Sequence, residues 1–269
     1  LITITSRYKV TFMYDGTKFS GFERQPNQRT VEGVLTQKVN VMAKKPDPPI
    51  IIYGSGRTDA GVHAIAQVAH FDFPFDLPTQ AVYKGLNSML PLDMEVTKVE
   101  RVSQQFHARY DVSGKKYIYR MYLGEFQNPF KRNYTGHWKF PINLEKVKRA
   151  LVDLEGEHDF TSFVASGSTA RSNIRTIYSA TAQLNSTKDE LQLEFYGNGF
   201  LYNMVRIIVG VVAEIGSGMR PEGDIQRLYK VKDRNQARRT MPASGLYLKQ
   251  VFYEGDDPAH PTKLVKRWR

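Results

Sequence analysis

The chain has 269 residues and no cysteine, which excludes a disulfide scaffold, a Cys-ligated zinc site, an iron–sulfur cluster, a thiol nucleophile and the chemistry of the zinc nucleobase deaminases. Hydrophobic residues make up 41%, enough for a sizeable core and too many for a disordered chain. Lys and Arg number 38 against 27 Asp and Glu, and the net charge of +11 favours a polyanionic partner, nucleic acid first, over a merely basic soluble protein.

Tyr8, Val10, Phe12 and Tyr14 alternate with polar or exposed-type neighbours and predict a strand, ended by a turn at Asp15-Gly16. Val31, Val34, Leu35, Val39 and Met42 recur at helical spacing, with Thr30 as the N-cap and Glu32 in the first turn. Pro46, Pro48 and Pro49 stop that helix. A short strand is expected over Ile50–Tyr53, then a glycine-rich loop from Gly54 to Gly61, then a strand over Gln67–Phe73. A second cycle begins near Lys115. Tyr117, Tyr119, Met121 and Leu123 share one strand face, and Ile118, Arg120 and Tyr122 the other. Leu144, Val147, Leu151 and Leu154 predict a helix capped by Asn143. Two strands follow, Ile174–Leu184 and Leu191–Tyr196, with a turn at Asn185-Ser186. Leu201–Ile215 is apolar nearly all round and predicts a buried helix.

This order predicts an α/β (α+β) fold of two similar halves. A soft boundary between Val102 and Gly114 places an N-terminal half at 1–105, a C-terminal half at 106–254 and a basic extension at 255–269. The apolar run Ile207–Ala213 is too short to span a bilayer and is bracketed by Arg206 and Glu214. Leu1–Arg7 lacks the pattern of a secretory signal, so a cytoplasmic location is expected; the native start is left open by a chain that begins at leucine.

The loop Gly54-Ser55-Gly56-Arg57-Thr58-Asp59-Ala60-Gly61 is the most unusual segment. Its glycines permit positive φ and close approach of a ligand. A guanidinium such as Arg57 can keep Asp59 ionised and orient it, which suits a nucleophile or base. The plainer reading is a turn whose Asp and Arg satisfy backbone groups. The loop is neither a Walker loop nor a dinucleotide loop. Arg206 lies in the apolar helix, where a charge needs a partner; Asp59, another acid, or an outward path to solvent would each serve. Tyr117 beside Lys115-Lys116 could stack on a base, although such a tyrosine is more often a core aromatic. Arg220–Arg239, with seven basic residues against three acidic ones, and Val164–Arg175, with Arg171 and Arg175, suit a phosphate backbone or a solvated face. The six histidines show no metal-ligand spacing, and no metal is expected.

Together these segments resemble the TruA family of tRNA pseudouridine synthases. Gly54 to His63 and Gln67-Val68-Ala69-His70-Phe71 are similar to its signature loop. Tyr14-Asp15-Gly16-Thr17 with Phe19, Gly21 and Phe22 resembles its opening block, with Phe22 where the family often has Trp. Phe106 to Tyr110 with Lys116 to Tyr119 resembles the second, Gly197 to Arg206 with Gly210 the third, and Ala243 to Leu248 the last. The resemblance spans Tyr8 to about Tyr253 and shifts the balance at Asp59, Arg206 and Tyr117 towards function.

The resemblance implies isomerisation of uridine to pseudouridine at positions 38–40 of the tRNA anticodon stem-loop, without a cofactor. Asp59 would be the nucleophile and Arg206 its partner. Tyr117 would stack on the target base, Arg57 would assist RNA positioning and base extrusion, and Leu246 would wall the pocket. The implied fold is two halves sharing a central antiparallel sheet, with a basic cleft between them, working as a homodimer on tRNA. The alternatives are a tRNA-binding protein without catalysis, a related synthase acting at other RNA positions, and a base-removing glycosylase or nuclease.

Overall fold

The computed structural model describes residues 5–256. The expected basic extension lies, beyond residue 256, outside the described residues, as do residues 1–4. The chain folds as two compact units. One runs to Ser113 and resumes at Leu248; the other is Gly114–Tyr247.

In the first unit, β1 (Ser6–Tyr14) buries every second residue, as its alternation requires, with Tyr8, Val10 and Phe12 fully enclosed. α1 (Val31–Met42) starts where Thr30 accepts a hydrogen bond from the Gly33 N–H at 3.2 Å, and it buries Val31, Leu35 and Val39. The expected strand at Ile50–Tyr53 shrinks to β2 (Tyr53–Gly54): Ile51 is exposed, and pairing begins only at Tyr53, opposite His70. β3 (His63–Phe73) is four residues longer at its start than the sequence suggests, because Ala64 pairs with Tyr14. α2 (Thr79–Asn87) and β4 (Met94–Val102) complete the run. β1 lies antiparallel to both β3 and β4.

In the second unit, β5 (Val112–Tyr122) pairs in parallel with the short β6 (Gly136–His137). α3 (Leu144–Val152) is capped by Asn143, whose side chain accepts from the Glu145 and Lys146 N–H groups. β7 (Gly156–Asp159), β8 (Ile174–Leu184) and β9 (Glu190–Gly197) follow. The sheet order is β5-β9-β8-β7, antiparallel throughout. α4 (Met204–Gly216) is buried along nearly its whole length, as its sequence predicts, but starts three residues later than expected because Asn203 sits at φ 58°. α5 (Asp224–Val231) covers part of this core. β10 (Leu246–Tyr253) comes last; from Leu248 it belongs to the first unit, where it lies beside β3. The fold class is the expected mixed α/β arrangement of mostly antiparallel strands.

Candidate active site

The loop between β2 and β3 is tied to its unit residue by residue. The Ser55 N–H donates to the Val68 carbonyl at 2.7 Å. The Thr58 carbonyl accepts from the Phe22 N–H at 3.0 Å, and the Asp59 carbonyl accepts from the Val62 N–H at 3.1 Å. Gly21, at φ 94°, brings the opening block against this loop: a β-carbon there would lie 3.0 Å from the Thr58 carbonyl oxygen. Ser55 and Thr58 are buried, Asp59 is half-buried and Arg57 is exposed. The loop therefore sends its small hydroxyl side chains inward, while its cation and its anion keep access to solvent.

Arg57 makes an ion pair with Glu23, Nη1 to Oε2 at 3.1 Å, both side chains about half exposed. Such a pair is weak in water and is readily exchanged for another anion. Two residues to which the sequence reading assigns no site role, Tyr14 and Gln67, hold the loop from beneath. The Tyr14 hydroxyl lies 2.8 Å from Thr58 Oγ1, and Gln67 Oε1 accepts from Ser55 Oγ at 2.6 Å. Gln67 does carry a signal in the sequence. It is a polar side chain within the apolar run of β3, it is fully buried, and it must find partners there.

The second unit holds Tyr117, Arg206 and Leu246, and the segment from Met241 to Leu246 contacts Arg206 at one end and leads into Leu246 at the other. Arg206 is half-buried near the start of α4. Its Nε donates to the Met241 carbonyl at 2.7 Å, and its Nη1 donates to Asn203 Oδ1 at 2.6 Å. A carbonyl and an amide oxygen thus orient the guanidinium within this unit. Met241 leads to Pro242, whose carbonyl accepts from the Tyr119 hydroxyl at 2.9 Å. Burial pushes the Tyr119 hydroxyl well above the ordinary phenol value, and the Arg206 charge offsets this in part. Tyr117 stands two residues before Tyr119 on the same face of β5. It is buried, and its ring meets Phe200 edge-on at 5.1 Å. Gly245 has no room for a side chain, since a β-carbon would lie 2.5 Å from the Tyr119 ring and 2.7 Å from the Arg120 carbonyl. That close approach seats the buried Leu246 at the start of β10.

The basic segments divide. Arg220 is buried between Glu214 and Asp224, with Nε–Oε2 at 2.5 Å and Nη1–Oδ2 at 2.6 Å, and its Nη2 donates to the Gln236 carbonyl at 2.9 Å. It holds α4 to α5 and is enclosed by protein, not by a solvated face. Arg175 folds back on its own segment, donating to the Ser172 and Ile174 carbonyls at 2.8 and 2.6 Å, whereas Arg171 is exposed.

A family model described as tRNA pseudouridine synthase matches residues 10–111 and 150–254, with Arg57 and Asp59 in the first stretch and Arg206 and Leu246 in the second. The chain belongs to the tRNA pseudouridine synthase family. It is 69% identical over 263 residues to the tRNA pseudouridine synthase A of Levilactobacillus brevis, covering 98% of this chain and 99% of that protein. It is 58% identical to the protein of that name from Ligilactobacillus salivarius, over 94% of this chain and 99% of the relative. With the same-named protein of Lactiplantibacillus plantarum it shares 56% identity, over 94% of this chain and 97% of that one. Tyr117 falls between the two stretches of the family match but within a chain aligned with these relatives almost end to end. As a member of the tRNA pseudouridine synthase family, the chain is an isomerase. No helix among the described residues is long and apolar enough to cross a membrane.

Proposed function

We propose that this chain isomerises uridine to pseudouridine at positions 38–40 of the anticodon stem-loop of tRNA, with Asp59 as the nucleophile. The observation that carries the reading is the Asp59 loop itself: a carboxylate on a backbone pinned on both sides, in a chain of this family, with Asp59 and its neighbouring cation Arg57 both open to solvent while Ser55 and Thr58 are buried.

The reaction breaks the bond from N1 to C1′, turns the detached ring and joins C5 to C1′; the C5 proton is lost and N1 regains one. Atoms and electrons balance within the nucleoside, so the chemistry calls for no cofactor. An Asp59 carboxylate can serve by adding to C6 of the ring or by assisting departure of the base at C1′. Arg206 pairs with Asp59 and keeps it anionic and aimed. Tyr117 lies against the target base and Leu246 forms an apolar wall.

The target base leaves the helix stack, at a cost of roughly a few kcal/mol that phosphate contacts offset. Arg57 assists by exchanging Glu23 for RNA. The enzyme works in the cytoplasm as a homodimer that tRNA spans. Tritium release from tRNA transcripts labelled at C5 of a single uridine, at 38, 39 or 40, tests the assignment. Release from these three positions and from no other uridine is expected. Release only elsewhere identifies a synthase of different position specificity, and an abasic site or strand break a glycosylase or nuclease. Sedimentation of the free enzyme tests the dimer.

A further inference from the structure

Beneath the Asp59 loop lies a buried polar chain that the reaction as described does not use. Tyr14 closes β1 and Gln67 lies within β3; their side chains meet in the interior of the first unit. Gln67 Oε1 accepts twice, from Ser55 Oγ–H at 2.6 Å and from the Val68 N–H at 3.1 Å, which fills its lone pairs. Gln67 Nε2 donates to the Gly56 carbonyl at 3.2 Å. The carboxamide also lies near the Tyr14 hydroxyl and offsets a small part of the effect of burial on it. The Tyr14 hydroxyl shares a hydrogen bond of 2.8 Å with Thr58 Oγ1. A flipped amide would set oxygen against the Gly56 carbonyl and nitrogen against the Val68 N–H, so only one orientation satisfies every group. Burial pushes the Tyr14 hydroxyl up to about 12, and it stays protonated, as the chain requires, throughout the working pH range.

We propose that Tyr14 and Gln67 are positioning residues for the isomerisation: their hydrogen bonds fix Ser55, Gly56 and Thr58 and so set the backbone from which Asp59 reaches the nucleoside. The inference rests on Asp59 being the nucleophile. A reacting carboxylate gains from being held before substrate arrives, and an error on the order of 1 Å can cost about a hundredfold in rate. Thr58 is adjacent to Asp59 in the chain, so a slip at its side chain is passed on directly. Tyr14 and Gln67 are both enclosed by protein, so RNA binding itself does not depend on them.

The test is single-turnover tritium release with Y14F, T58V, T58S and Q67E, alongside filter binding of the same tRNA. Y14F and T58V are expected to slow the step by roughly 10- to 100-fold, with the tRNA Kd held within about threefold. T58S, which keeps the hydroxyl, should recover most of the rate lost in T58V. Q67E adds a signature that a purely structural residue would lack. Its carboxylate cannot donate, but its protonated form can, so its rate relative to the unmodified enzyme should climb as pH falls from 8 to 5.5. The corresponding ratio for Y14F should stay flat. Rates of Y14F and T58V within threefold of the unmodified enzyme would overturn the proposal, as would losses of tRNA binding and melting temperature that match the loss of rate. D59N run in the same assay separates the two claims. If it reacts normally, the nucleophile assignment fails; if it is inert while Y14F reacts normally, only the positioning role fails.

Discussion

Arg206 and Met241 hold each other in both directions: the Arg206 side chain donates to the Met241 carbonyl at 2.7 Å, and the Met241 N–H donates to the Arg206 carbonyl at 3.1 Å. This lock, with Asn203 as a second acceptor, uses the fixed fork of a guanidinium. Lysine offers a single point charge and cannot meet both acceptors in that geometry. R206K is therefore expected to lower kcat by roughly 10- to 100-fold while KM for tRNA moves only a few fold. Steady-state kinetics on an anticodon-arm transcript check this, and an unchanged kcat removes Arg206 from the mechanism.

The Arg57–Glu23 pair implies a competition. Both side chains are half exposed, so the pair itself stabilises the protein by about 0–1 kcal/mol at most. E23Q frees the guanidinium and should tighten tRNA binding a few fold at low salt, with a steeper loss of affinity as salt rises. R57A should weaken binding and flatten the same plot. Titrations between 50 and 200 mM salt, about the range over which phosphate contacts are screened, read both effects. Parallel salt plots for the three proteins would mean that Arg57 does not touch phosphate.

The enclosed cluster of Arg220, Glu214 and Asp224 is a matter of folding. Replacing Arg220 with alanine leaves two carboxylates buried beside a void, and a loss of about 3–5 kcal/mol is expected in urea unfolding. Burial pushes the Asp224 carboxyl up, but Arg227 and Arg220 more than reverse this and hold it below the usual value. A depressed carboxyl contributes stability that is fully present above the unfolded pKa, about 4, and is lost as pH falls through the lower folded value. D224N should therefore blunt the acid limb below about pH 4. An acid limb as steep as before would assign it to other carboxylates.

His70 carries a second pH effect. Burial, then the neighbouring His107, push its pKa down to about 4, and its Nδ1 accepts from the Ala108 N–H at 3.1 Å. The folded state thus keeps the neutral ring. Its contribution is whole above the unfolded value, about 6.5, and is lost progressively as pH falls towards 4. H70N retains an acceptor near the Nδ1 position but cannot titrate. Its melting temperature should depend less on pH between 6.5 and 4 than that of the unmodified protein; identical slopes would contradict this role.

The parts of this fold that local chemistry decides were legible in the sequence. Thr30 and Asn143 cap the helices assigned to them, and β8 turns into β9 beyond Asn185, as the alternation on either side indicates. The apolar circumference of α4 announced its burial. Elements that depend on distant partners were not legible. Ile50–Tyr53 reads as a strand, yet only its last residue pairs; α2, β4, α5 and β10 carry no comparable local mark. At the site, the glycine-rich loop and its Arg57 and Asp59 stand out by composition. The supporting role of Tyr14 and Gln67 does not, because it lies in hydrogen bonds to Thr58 and Ser55, 44 and 12 positions away. Likewise Arg220 reads as a cation offered to solvent until Glu214 and Asp224 are seen on either side of it.

The role of Asp59 is tested most directly by single-turnover tritium release with D59N on C5-labelled tRNA, at enzyme concentrations well above the tRNA Kd. The variant is expected to bind tRNA with near-normal affinity and to release no tritium above background, because only an interaction of the reacting state is lost. Release at the unmodified rate would contradict the assignment of the nucleophile.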